Sequence, residues 1–521
     1  MDLFARFEQV AKSQPDKPAY IYYDSQTRDW KTFTYKQLHD LTTRFIHGLS
    51  ALSLPPGLRA AVMTPPSVEF FALAIAMLKF GIIPIVVDPA IGLKKLKACL
   101  EESKPDIFIG NTLSHFLRIL FGWGRKSIKH NLSILNMESR KWSANAEAPL
   151  TTYHSSAAII FTSGSTGTPK GVLYSHENLF AQFNLLQKTF NISEDEIDLP
   201  AFPLYALIDV LLGVTSIIPD ISFPVPGRTD PKKVIDAIQR FNVTNMFASP
   251  IVLEILASFV FHSPETKFSS LKRIITAGAP ATIDLQKRFR KLLPDSTNLF
   301  GIYGATEVLP IAQVESREVF ALEEKTRNGA GICLGKPVEG VTVRIIPITD
   351  EPIYEWRDSL QVESNVVGEI TVQGPAVTRS YINEEVNKLS KIKLGDDIIH
   401  RMGDVGYFDD DGRLWYCGRK SHRVITPDGV MFTEQIENIF NAHPLIKRSA
   451  LVGVDYEPVL WIELEHGVKV KRDKIKQEFM EFAKMHAQAS KIKVFLFMKK
   501  FPTDVRHNSK IIREELARLA S

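Results

Sequence analysis

Cysteine is scarce in this chain: 521 residues carry three thiols, Cys99, Cys333 and Cys417. Their wide spacing gives neither a metal pattern nor a disulfide framework, which excludes a stapled secreted scaffold and fits a reducing compartment. Long apolar runs are also missing. None approaches the roughly 18 residues of a membrane span. The N-terminal MDLFARFEQVAKSQPDKPAY is amphipathic and mixed in charge, without the continuous apolar centre of a signal peptide. Neither sign of charge is in excess: 63 Lys and Arg stand against 59 Asp and Glu, and the net charge of +4 is too small at this length to imply a nucleic-acid partner. Repeats and low-complexity tracts are absent. The expectation is a cytoplasmic protein without a transmembrane segment, with ample core at 45% hydrophobic residues and more than one domain.

What is present is concentrated at 161–171, FTSGSTGTPKG. The apolar run before it, AAIIF at 157–161, reads as a buried strand, so the loop is presented at a strand end. Glycines such as Gly164 and Gly167 let backbone N–H groups turn toward an anion. The hydroxyls of Thr162, Ser163, Ser165 and Thr166 donate to phosphate oxygens, and Lys170 adds a charge. This chemistry asks for a polyphosphate. It is not a Walker A loop, which would need glycine at Pro169 and Ser or Thr at Gly171.

Elsewhere strand-like apolar runs alternate with helix-periodic ones: 67–80 with 82–87, 231–241 with 245–248, and 283–293 with 273–277. Such alternation predicts α/β layers with substantial parallel sheet. From 366 to 411 the pattern shifts to short strands and turns, with Asp409-Asp410-Asp411-Gly412 as a turn signal. A small β subdomain is expected there, ending at Gly418-Arg419. The segment 113–135, LSHFLRILFGWGRKSIKHNLSIL, mixes Phe, Leu and Trp with Arg125, Lys126, Lys129 and His130. The favoured expectation is a surface helix with a buried apolar face and a solvated basic turn. The alternative is peripheral membrane contact or an acyl tunnel wall.

TSGSTGTPKG resembles the phosphate-loop signature of the adenylate-forming superfamily, which holds acyl-CoA synthetases, peptide-synthetase adenylation domains and luciferases. Further motifs follow in that superfamily's order over nearly the whole chain. The resemblance implies an α/β fold with a large N-terminal AMP-binding domain, 1–419, made of layered α/β subdomains plus a small β-barrel-like subdomain. It also implies a small mobile α+β lid, 420–521, with ATP and Mg²⁺ as cofactors. Acyl adenylation needs a carboxylate to attack the α-phosphorus, pyrophosphate to leave with its charge neutralised, and the acyl-AMP to be shielded from water. By resemblance, Thr162, Ser163, Gly164, Ser165, Thr166, Gly167 and Lys170 hold the β- and γ-phosphates. In GIYGATE, 301–307, Tyr303 lies on the adenine, Thr306 meets the α-phosphate, and Glu307, with Thr166, takes Mg²⁺, a hard cation that prefers oxygen ligands. As a bare residue, Glu307 could equally favour a helix N-terminus. Gly278 and Ala279 match the segment flanking adenine, Asp404 the carboxylate on the ribose hydroxyls, and Arg419 the ribose contact before the hinge. Lys510 matches the lysine that bridges carboxylate and α-phosphate, completing a catalytic set with Thr306 and Glu307. Phe202, Tyr205, Ala206, Leu207 and Ile208 fall where the superfamily places an acid-binding wall, although plain core packing explains each one singly.

The chain departs from acyl-CoA synthetases where the second, thioester-forming conformation is built. Ser421 stands at the hinge position, Thr433 and Gln435 replace the proline and first glutamate of P-x-E-I-E, Ser509 replaces the glycine before Lys510, and 443–502 reads as shortened. Strings such as MTPPSVEFF (63–71), CGRKSHRV (417–424) and VRHNSKI (505–511) are most similar to one subgroup, the β-lactone synthetases of bacterial long-chain olefin biosynthesis. That resemblance implies a long-chain, 2-alkyl-3-hydroxy carboxylic acid whose own hydroxyl closes a lactone on the acyl-AMP. A long-chain acyl-CoA synthetase or acyl-AMP ligase is the alternative enzyme. A silent nucleotide- or acyl-binding scaffold is the alternative of another class, opposed by Thr166, Glu307, Asp404, Arg419 and Lys510 occurring together.

Overall fold

The computed structural model describes residues 3–24, 26–88, 91–134, 137, 155–162, 169–219, 226–261, 267–468, 472–503 and 510–521. The predicted α/β alternation is what the chain builds. Val68–Phe80 is a helix capped by the Ser67 side chain and ended by Gly81 in the left-handed region, and Ile83–Val86 is the strand after it. That helix is apolar all round because it is buried between layers. Pro231–Arg240 precedes the strand Asn245–Ala248, and Arg273–Thr276 precedes the helix Ile283–Arg290.

One sheet has seven strands, ordered Ser380–Tyr381, Gly171–Ser175, Ser156–Phe161, Ile83–Val86, Arg59–Met63, Ile107–Gly110 and His130–Ser133. It is parallel from Ser156–Phe161 onward and antiparallel before it. A second sheet has fourteen strands. Its parallel block runs Pro18–Asp24, Thr215–Ile218, Ile197–Pro200, Asn245–Ala248, Arg273–Thr276 and Asn298–Ala305. At Val308–Glu315 it turns antiparallel and continues through Ile332–Pro337, Leu414–Arg419, Asp397–Phe408 and Gly368–Gln373 to Thr342–Ile346. The antiparallel arm therefore starts well before residue 366, where the sequence pattern first announced it. It also shares backbone hydrogen bonds with the parallel block, so the two are one sheet.

After Arg419 come a short hairpin, Val424–Thr426 with Gly429–Met431, and a sheet of Ile446–Val454, Glu457–Leu464 and Val494–Phe497. Helices Thr433–Asn441 and Arg472–Lys484 close a separate core around Ile439, Phe440, Leu460, Phe479 and Phe495. This unit approaches the large body closely at two glycines. At Gly329 (φ +87°) a Cβ would stand 2.2 Å from Gln488 Oε1 and 3.2 Å from the Gln435 carbonyl oxygen. At Gly418 (φ +129°) it would stand 2.3 Å from Thr433 Oγ1. Both positions need glycine for conformation and for space.

Gly329→Ala is expected to loosen this docking. The left-handed backbone alone costs an alanine about 1–2 kcal/mol, a factor of roughly 5 to 30 in population. Limited proteolysis between 419 and 424 should speed up accordingly; an unchanged rate would mean that the interface accommodates the methyl group.

Candidate functional site

The described residues of the expected nucleotide site open onto one cavity of about 2860 Å³. Ser163, Gly164, Ser165, Thr166 and Gly167 lie outside the described residues. The base of their loop is described. Phe161 pairs with Gly171 across antiparallel strands, the Thr162 N–H donates to the Lys170 carbonyl at 3.0 Å, and the Lys170 N–H donates to Thr162 Oγ1 at 3.3 Å. The two strand ends that flank the loop are thus pinned to each other. Thr162 and Lys170 face the cavity, and the Lys170 ammonium sits 5.9 Å from the centre of the Tyr381 ring.

The motif 301–307 runs off the strand Asn298–Ala305, and Thr306 and Glu307 form the turn into Val308–Glu315. Glu307 is therefore on a strand-to-strand turn, and the helix N-terminus reading is excluded. Its carboxylate is buried and accepts from the Tyr381 hydroxyl at 2.5 Å, while the Tyr174 hydroxyl donates to the Thr306 carbonyl. Lys391, also buried, donates to the Thr378 carbonyl at 2.5 Å and lies 5.3 Å from the centre of the Tyr381 ring. Burial pushes its ammonium down to about 7, against the pull of Glu307. His400 is driven well below its ordinary value by burial and then by Lys391, so its ring is neutral. Sequence reasoning missed Tyr174, Tyr381, Lys391 and His400. They are single residues scattered over 174–400, and only the fold brings them to Glu307.

Asp404 and Arg419 face each other across neighbouring antiparallel strands, with Arg419 Nη1 3.0 Å from Asp404 Oδ1. The Tyr303 hydroxyl donates to Asp404 Oδ2 at 2.7 Å. Burial raises the Asp404 carboxyl, whereas Arg419, Tyr303 and Lys510 hold it down. Gly278 and Ala279 line the same cavity. Lys510 reaches it from the small C-terminal unit, at the foot of a loop closed by the Thr503–Ile511 bridge and by Ile512 N–H donating to the Pro502 carbonyl at 2.9 Å. Asp504, His507 and Ser509 fall outside the described residues. Three residues on, Arg513 is buried and donates to both Glu437 oxygens at 2.7 Å. His422, in the turn Lys420–His422, lies 3.6 Å from Glu514, and burial followed by the Arg513 charge pushes it down to about 4. The Lys510 segment is thereby tied both to the helix Thr433–Asn441 and to that turn.

The helix Pro203–Leu212 presents Phe202, Tyr205, Leu207 and Ile208 to the cavity. Tyr205 stacks on Phe247, ring centres 3.5 Å apart. Ala206 is on the opposite side, buried in the core with its carbonyl accepting from the Tyr20 hydroxyl at 3.1 Å, so it forms no part of this wall. Behind the wall Asp209 accepts from Ser216 Oγ at 2.7 Å and shares a hydrogen bond with Asp198 on the strand Ile197–Pro200. Burial raises both carboxyls, and the pair retains a proton.

Among the described residues no group of three or more His, Cys, Asp or Glu could hold a metal alone. A single carboxylate such as that of Glu307 suits Mg²⁺, which keeps few protein ligands and takes the rest from nucleotide oxygens and water.

Residues 7–382 match the family model for the AMP-binding enzyme. The chain belongs to the AMP-binding family. It is an adenylate-forming ligase, and enzymes of this family use ATP. It is 40% identical over 507 residues to an olefin β-lactone synthetase of Xanthomonas campestris pv. campestris, covering 93% of this chain and 90% of that one. It is likewise 40% identical over 510 residues to an olefin β-lactone synthetase of Stenotrophomonas maltophilia, covering 94% and 91%. The fold resembles that of an O-succinylbenzoate coenzyme A synthetase from Bacillus subtilis solved with ATP and magnesium, with a TM-score of 0.76, 22% identity, and 98% of each chain covered.

Two outcomes are expected. Asp209→Asn keeps a donor toward Asp198 without a titrating proton. A raised carboxyl stabilises the fold at low pH, and that contribution is lost as pH climbs through the raised value. From about pH 5 to about pH 8, the wild type should therefore lose thermal stability relative to Asp209→Asn; parallel curves would place the proton elsewhere. Lys510→Ala should lower acid-dependent pyrophosphate release by roughly 10²–10³-fold, the scale for removing a transition-state donor, with ATP binding retained in calorimetry. Loss of ATP binding as well would contradict a role confined to the reacting groups.

Proposed function

We propose that this enzyme activates a long-chain 2-alkyl-3-hydroxy fatty acid as its acyl-AMP and closes that intermediate to a β-lactone, releasing pyrophosphate and AMP. The observation that carries this reading is 40% identity along 93% of the chain to an enzyme named for that product. Ser421, Thr433 and Gln435, which depart from the thioester-forming pattern, agree with it.

In the first step the acid's carboxylate oxygen attacks the α-phosphorus and the bond to pyrophosphate breaks. Tyr303 supports the adenine beside Gly278 and Ala279. Asp404, with one oxygen already held by Tyr303 and Arg419 beside it, accepts from the ribose hydroxyls. Thr306 binds the α-phosphate. Lys510 bridges that phosphate and the carboxylate, neutralising the charge that builds between them. The loop of Thr162, Ser163, Gly164, Ser165, Thr166, Gly167 and Lys170 holds the departing phosphates. Mg²⁺, when bound by Glu307 and Thr166, supplies further charge neutralisation there. Tyr381 orients the Glu307 carboxylate, and the neighbouring Lys391 offsets part of its charge. In the second step the substrate's 3-hydroxyl oxygen attacks the acyl carbon and gives up its proton, and the carbon–oxygen bond to AMP breaks. Holding nucleophile and carbonyl in one molecule makes this unimolecular, while Phe202, Tyr205, Leu207 and Ile208 pack the apolar chain. Residues 1–419 and 420–521 act as body and lid, hinged at Arg419-Lys420.

Mass spectrometry of the products is the test. With ATP, Mg²⁺ and a 2-alkyl-3-hydroxy fatty acid, the expected product is the acid less one water, formed with one AMP per lactone and indifferent to coenzyme A. A coenzyme A ester formed rapidly from a plain fatty acid would replace this reading with that of an acyl-CoA synthetase.

A further inference from the structure

The helix Thr112–Phe121 is amphipathic, yet none of its residues is buried, contrary to the expectation of an inward apolar face. Its polar side faces the protein. The Ser114 hydroxyl donates to the Met63 carbonyl at 2.6 Å, His115 Nε2 contacts the Leu132 carbonyl at 3.0 Å, and the Arg118 guanidinium lies 5.5 Å from the centre of the Phe108 ring. The opposite side carries Leu113 (63% exposed), Phe116 (61%), Ile119 (72%) and Leu120 (62%). Residues three, four and seven apart share one helical face, so this is a continuous outward stripe. In water such a stripe is unfavourable, and a cluster of large exposed apolar side chains marks a contact surface.

Two further observations say what covers it. The stripe is flanked by exposed cations, Lys94 and Lys95 on one side in sequence and Arg125, Lys126 and Lys129 on the other. It is also continuous with the cavity: Leu93, 49% exposed, and Leu113 both line the cavity and face solvent. Exposed apolar anchors on a helix followed closely in sequence by exposed cations fit the boundary between acyl chains and anionic headgroups.

We propose that Thr112–Phe121 docks this enzyme on an anionic lipid bilayer, so that a water-insoluble acid passes from the membrane into the cavity between Leu93 and Leu113. Only the identity of the cargo rests on the reading under Proposed function. The bilayer contact is measured without substrate, so a failed lactone assay and a failed binding assay are separate results.

The experiment is co-sedimentation of the full chain with phosphatidylglycerol vesicles and with phosphatidylcholine vesicles. It uses the wild type, the combined variant Phe116→Ser, Ile119→Ser, Leu120→Ser, and the pair Arg125→Glu, Lys126→Glu; none of these residues lines the cavity. The wild type is expected to bind phosphatidylglycerol vesicles at least about tenfold more tightly than phosphatidylcholine ones, since each cation near the surface contributes about 1 kcal/mol. Both variants should lose most of that binding while keeping a cooperative melt and binding ATP as the wild type does. The proposal is overturned if the wild type stays in the supernatant, or if the serine variant sediments equally well. It is also overturned if the wild type is a dimer that the serine variant dissociates, because a second copy would then cover the stripe. Should the serine variant fail to fold, the charge-reversed pair decides, and undiminished binding by it overturns the proposal.

Discussion

The end of the cavity lined by Tyr303 is organised by the pairing of Asp404 with Arg419 across two neighbouring strands. The pairing is a matter of register. A slip of one residue in either strand would turn one of the two side chains to the far face of the sheet. Because Leu414–Arg419 lies between Asp397–Phe408 and Ile332–Pro337, the same register helps to set the distance between Asp404 and Tyr303, which comes from the parallel block. The chain thus brings an aromatic ring, a carboxylate and a guanidinium from strands far apart in sequence to one point through the pairing of strands in one sheet.

The surroundings of Glu307 follow a different logic. A buried carboxylate, a buried lysine and a buried neutral histidine are individually unfavourable, and burial of an unpaired charge is among the more destabilising features a fold can carry. They are tolerated because each leans on another: Tyr381 donates to Glu307, Lys391 donates to the Thr378 carbonyl and lies against the Tyr381 ring, and His400 stays neutral beside Lys391. So many perturbed groups packed directly behind a cavity wall, at Glu307 and Tyr381, have the character of a site rather than of core packing.

The sequence was legible where chemistry is dense and local. The loop behind the strand at 157–161 and the motifs holding Tyr303, Thr306, Glu307, Asp404, Arg419 and Lys510 stood out because each sits in a run of distinctive residues at fixed offsets, and their described residues line one cavity. The α/β alternation was legible for the same reason, since hydrophobic period is a local property. What could not be read was whatever the fold assembles from distant single residues. Tyr174, Tyr381 and Lys391 carry no motif. Ala206 is chemically indistinguishable from a wall residue until the helix Pro203–Leu212 is oriented. The helix Thr112–Phe121 has an amphipathic pattern that fixes two faces without saying which one points inward, and here polar anchors at Ser114, His115 and Arg118 decided that the apolar face points out.

Arg419 ends the strand that pairs with Asp404, and Lys420 begins the turn to the small C-terminal unit, where its ammonium is held by the Thr349 carbonyl at 2.8 Å and by Glu369. The partner of Asp404 and the first residue of the turn are thus consecutive, with no slack between them. A rotation of the small C-terminal unit about this point would pull directly on the Asp404–Arg419 pair, so neither can shift without the other.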